Sequence, residues 1–135
     1  MSLPRAARHQ AGDLLFLSGT GPVRPDGGLV TGKVGDGGLD LDTAREAARL
    51  TGLQLLGAMQ AHLGDLDRVG AVARLFGMVN CRPGFTRMPA VIDGCSDLLA
   101  DVLGDRGRGA RSAVGMAELP FDIAVEIEAV VQVAG

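Results

Sequence analysis

The sequence predicts an α+β fold in one domain: a single sheet with two helices packed on one of its faces. Three observations predict it. Two stretches with helical apolar spacing, residues 40–63 and 89–103, are separated by a run rich in β-branched residues, and the chain closes on a long alternating segment. At 135 residues the chain has the length of one domain with a substantial core, and residues 1–135 are taken as that domain. Met1-Ser2-Leu3 reads as an expression scar.

Leu14 to Ser18 (LLFLS) follows Gly12-Asp13 and precedes Gly19, which marks a buried strand. Arg5 to Gln10 supplies a short partner strand, with a turn at Ala11-Gly12-Asp13. From Thr20 to Leu39 the chain is rich in Gly, Pro and Asp and forms a long loop, with Asp26-Gly27-Gly28 its strongest turn signal. About twenty residues therefore separate the first strand from the first helix, which excludes a dinucleotide fingerprint, since that motif needs strand, turn and helix in succession.

Asp40 to Leu63 is the clearest helix. Asp40 or Asp42 caps it, Ala44, Ala48, Leu55, Met59 and Leu63 form its apolar stripe, and Gly64 ends it. His62, in the last turn, is a surface or capping residue. Asp65-Leu66-Asp67 turns into the strand Arg68 to Val79, where Arg74 is an exposed or interface residue. After the break NCRPG, Pro89 opens a second helix that runs to Leu103, with Cys95 on its core side. Arg111 to Ala117 and Ile123 to Val133 then read as two strands of a hairpin turned at Leu119-Pro120. In the last strand Val125, Ile127, Ala129 and Val131 face the core. Glu126 and Glu128 face the other way, on the sheet side that also carries Arg111. An Arg and a Glu on adjacent strands can hold a small carboxylate and a water side by side. A half-polar sheet face with exposed Val and Ala suits contact with another subunit.

Composition narrows the function. Hydrophobic residues make up 47% but aromatics only 3%, with no Trp or Tyr, so the core is aliphatic and little is available for base stacking. The net charge of −3 argues against a broad nucleic-acid face. Arg106, Arg108 and Arg111 form the one basic cluster. No apolar run reaches the roughly 20 residues of a membrane span, and no signal-peptide pattern opens the chain. Cys81 and Cys95 lack metal-ligand spacing and read as reduced thiols of a cytoplasmic protein.

SGTGPV after the first strand, the Gly-rich loop and ARSAVGMAELPFDIAVEIEAVV at the C-terminus together resemble the RidA (YjgF) family, which includes the proteins called endoribonuclease L-PSP. The resemblance covers nearly the whole chain from Gly12. It implies a chorismate-mutase-like fold with a mixed sheet, assembled as a barrel-like homotrimer with clefts between subunits. It also implies hydrolysis of reactive 2-imino acids to 2-keto acids and ammonia, with no metal and no organic cofactor. Carried over by position, Arg111 grips the substrate carboxylate, Glu126 serves the attacking water, and Ser18 and Gly19 line the same cleft. A guanidinium suits that role because its fork is fixed and bidentate.

The chain departs from the family pattern at several positions. Ala113 stands where many deaminating members have Cys, Thr20 replaces the usual Gln, and the N-terminal aromatic has no counterpart. Asp93 stands where many members place Asn, and would repel a carboxylate ligand if it faced the cleft. Three readings follow: a deaminase (a hydrolase), a trimeric protein that binds or senses a small carboxylate without turnover, and an endoribonuclease, against which charge and composition weigh.

Overall fold

The computed structural model describes residues 7–135. The chain runs β1 (Arg8–Ala11), β2 (Leu14–Thr20), α1 (Leu41–Leu63), β3 (Val69–Asn80), α2 (Met88–Leu103), β4 (Ala110–Met116) and β5 (Val125–Val133). Met1-Ser2-Leu3 and the first two residues of the expected Arg5 to Gln10 strand lie outside the described residues. Arg8 to Gln10 of the expected strand lie in β1, which extends to Ala11, expected in the turn, and pairs with β2.

Local chemistry accounts for the helix ends. The Asp40 carboxylate accepts the Thr43 N–H and caps α1, and that backbone hydrogen bond holds its pKa below the ordinary 3.8. At the other end Gly64 adopts φ 82° and returns its N–H to Gln60. Pro89 sits in the first turn of α2, where a missing N–H costs nothing. His62 meets the side chain of Gln10 on β1 at 2.7 Å. Neither helix is long and apolar enough to cross a membrane.

The five strands form one mixed sheet in the order β1-β2-β5-β3-β4, antiparallel except for the parallel pair β3 and β4. Both helices pack on the face formed by Leu15, Leu17, Val72, Leu75, Val79, Val125, Ile127 and Val131, all buried. The helices approach closely where α2 has no side chain: a Cβ on Gly94 would lie 2.1 Å from the Arg45 carbonyl of α1. Cys95 is buried beside that crossing, and burial pushes its thiol up to about 12.

The expected C-terminal hairpin does not form. β5 uses one edge for β2 and the other for β3, so no edge of β5 is left for β4, which pairs instead with the far side of β3. Residues 117–124 carry the chain past the end of β3.

Candidate functional site

The strand registers decide where each candidate side chain points. Arg111 pairs with Leu75, and Leu75 faces the helices. Arg111 therefore lies on the helix side of the sheet, not on the open face with the glutamates. Glu126 pairs with Met78, and Glu128 with Phe76, on the opposite face. Arg111 and Glu126 are thus separated by β3 and by the sheet itself. One chain does not bring them together.

Arg111 is fixed from α2. Its Nη1 donates to Asp93 Oδ1 at 2.8 Å and to Ser96 Oγ at 3.1 Å. Asp93 and Ser96 are three residues apart, so they share a helix face. Sequence reasoning passed over Ser96, and this spacing is the signal that would have found it. Asp93 does not stand as a bare repulsive charge, because it is neutralised by the guanidinium. Both of these hydrogen bonds use Nη1, so neither engages Nε or Nη2, the edge that suits a side-on carboxylate. Ala113 follows on the same face of β4, opposite Gly77.

Glu126 is positioned by an irregularity in β2. Leu17 pairs with Ala129 and Thr20 with Ile127, so Ser18 and Gly19 together oppose a single residue of β5. Bulges of this kind bend a strand and re-aim its neighbours. Here the bulge brings Gly19 against the Glu126 carboxylate: a Cβ on Gly19 would lie 2.3 Å from Oε2. Burial, and secondarily the Glu128 carboxylate, raise the Glu126 pKa above the ordinary 4.5. The carboxyl lies in a cleft of about 370 Å³ that also involves Thr20, Gly21, Leu29, Phe121 and Ile123.

One wall of that cleft is a clamped turn that sequence reasoning read only as Leu-Pro. Phe121 and Asp122 both adopt left-handed backbone, at φ 58° and 57°. The buried Asn80 donates to Asp122 Oδ1 and to the Ile123 carbonyl, while the Gly32 N–H bonds the Asp122 carbonyl. Lys33 ties Asn80 to the Ala117 carbonyl and to Glu118. A buried Asn at a strand end was the available signal, since a buried amide must find partners.

The basic cluster does not survive folding as a patch. Arg106 donates to the Leu66 and Val69 carbonyls, Arg108 lies 3.9 Å from Asp105, and Arg111 is held as described. Arg74 lies on the open face over the Phe76 ring. Among the described residues no group of three or more His, Cys, Asp or Glu is placed to hold a metal.

No family profile matches the chain. Protein TCP17 of Trypanosoma cruzi is 46% identical over 123 residues, covering 90% of this chain and 76% of that protein. Among solved structures, Atu1372 of Agrobacterium tumefaciens, a protein of unknown function, superimposes with a TM-score of 0.92 at 38% identity, over 100% of this chain and 87% of its own. A candidate endoribonuclease of Shewanella oneidensis superimposes with a TM-score of 0.90 at 25% identity, over 96% and 85%.

Proposed function

The chain belongs to the YjgF/L-PSP (RidA) family, and from that premise we propose that it hydrolyses a small 2-imino acid to the 2-keto acid and ammonia. The reaction takes place in a cleft completed between subunits of a homotrimer. The observation that carries the reading is Glu126, a half-buried carboxyl with a raised pKa, aimed into a cleft by the bulge at Ser18-Gly19. A carboxylate whose pKa is raised is a better proton acceptor than an ordinary one, and once protonated it can return that proton.

In the proposed reaction Glu126 accepts a proton from water as its oxygen bonds to the imine carbon, giving a carbinolamine. Proton transfer to nitrogen then lets the C–N bond break as the carbonyl forms, and ammonia leaves. Arg111 holds the substrate carboxylate through its Nε–Nη2 edge, with Asp93 and Ser96 fixing the guanidinium from behind. Because Arg111 and Glu126 lie on opposite faces of one chain's sheet, the cleft takes Arg111 from a second subunit. The setting proposed is the cytoplasm, in keeping with two free cysteines.

The test is to generate 2-iminopropanoate in situ and follow keto-acid release with wild type and with Arg111→Ala. A large loss in the variant is expected, and equal rates would overturn the assignment. Sedimentation should give a trimer. A monomer at micromolar concentration would remove the site.

A second reading, binding without turnover, has its own support. Asp93 already supplies Arg111 with a carboxylate, and Ala113 offers a methyl where many family members place a thiol. A 2-keto acid bound tightly, with no imino acid consumed, would favour that reading. Endoribonuclease activity is supported least, because Arg106 is engaged by the Leu66 and Val69 carbonyls and the net charge of −3 offers no broad basic face.

A further inference from the structure

The cleft over Glu126 has a built apolar side. Gly19 and Gly21 contribute no side chains, and Glu126 is the one charged residue of its lining. The rest of the lining is Thr20 and an apolar wall of Leu29, Pro120, Ile123 and Phe121. Phe121 is the unusual member. The chain has four phenylalanines and no other aromatic apart from two histidines, yet this ring is 85% exposed. Its backbone is left-handed, a conformation that a bulky residue seldom adopts. The turn is held in that state from both sides, by Asn80 on Asp122 and Ile123 and by Gly32 on Asp122, with Lys33 securing Ala117 ahead of it. The surrounding structure thus enforces a conformation that stands an aromatic ring at the mouth of the cleft. Strain of this kind persists where the fold over-determines it, and it gathers at ligand sites.

We propose that Phe121 is a specificity-determining residue, closing the apolar side of the Glu126 cleft over the side chain of the ligand. The ligand class it selects is 2-imino and 2-keto acids with a branched or aromatic side chain, in preference to those derived from alanine or serine. The ligand's reacting carbon lies toward Glu126, and its side chain runs along Leu29, Ile123 and the Phe121 ring. This inference rests on the carboxylate-cleft reading above.

Calorimetric binding of pyruvate, 4-methyl-2-oxopentanoate and phenylpyruvate tests it without requiring turnover. Wild type should bind the two bulky acids about tenfold or more tightly than pyruvate, the discrimination a few apolar carbons supply in such a pocket. Phe121→Ala should bring all three within about threefold, and Phe121→Leu should retain most of the preference. Sedimentation of the same variants distinguishes the competing role of an exposed ring, that of an anchor between subunits. Wild-type indifference to side-chain size would overturn the inference, as would equal weakening of all three ligands or a changed oligomeric mass in Phe121→Ala. Failure of every keto acid to bind wild type would remove the carboxylate cleft and this inference with it. Selective binding with no imine hydrolysis would remove only the deaminase reading.

Discussion

Arg111 on the edge strand β4 and Asp93 on α2 form an ion pair of 2.8 Å, with Ser96 beside it, on the helix side of the sheet. A residue expected to oppose ligand binding by its charge instead orients the group expected to bind. Orientation and competition are separable, because only the charge competes.

Asp93→Asn keeps a hydrogen-bond acceptor for Arg111 and removes the negative charge. Affinity for a 2-keto acid should rise by threefold to about tenfold, modest because the pair is partly open to solvent. Calorimetry at two salt concentrations measures this, and unchanged or weaker binding would show that the Asp93 carboxylate does not compete.

Gly19→Ala should damage the site far more than the fold. The added methyl meets Oε2 of Glu126 at 2.3 Å, but that atom ends a flexible side chain that can swing away. The melting temperature should change by only about 1–3 °C, while imine hydrolysis falls by about a hundredfold through loss of the aimed carboxyl. A large drop in thermal stability with activity retained would contradict this placement of Glu126.

Glu126 also sets a pH dependence whose sign follows from its raised pKa. The folded state holds this proton more tightly than the unfolded chain, so the contribution to stability is fully present below the ordinary 4.5. It is lost as pH rises through the folded value. Glu126→Gln should therefore melt slightly higher than wild type near neutral pH, by about a degree or two given solvent screening. The difference should shrink as pH falls toward 4.5. Melting curves across that range decide it, and turnover should be lost in the same variant.

The helix crossing gives a stability prediction independent of the site. Gly94→Ala puts a methyl against the Arg45 carbonyl, a backbone atom that cannot step aside, and should cost about 2–3 kcal/mol. Gly57→Ala, on the exposed side of α1 with no atom near, should stabilise by up to about 1 kcal/mol. Denaturant titrations of the pair give opposite shifts if the helices cross as described.

Much of the fold was legible because its signals are local. The Asp40 cap, Gly64 stop, Pro89 start and the alternation of β5 each depend on residues within a few positions of one another. Each appears in the structure within two residues of its expected bounds, β5 showing the largest offset, with its start at Val125 rather than Ile123. The site was legible in part. Glu126 faces away from the core as its parity in the strand required, and Gly19 lies against it, while Ser18 is not among the residues lining that cleft. The bulge that aims Glu126 was not read, although a Gly inside a strand pattern is its usual mark. Asn80, Lys33 and Asp122 were missed because their partners lie tens of residues away in the chain.

The sequence by itself determined the identity and order of the elements and which residues of each strand share a face. Only the tertiary structure decided which strands are neighbours, and so which face of the sheet Arg111 occupies. The physical reason is that period-two alternation relates residues within a strand, whereas the face is assigned by register with another strand. β5 had two edges and both were taken, by β2 and β3. That left β4 to pair in parallel with β3, and turned Arg111 toward α2 and Asp93.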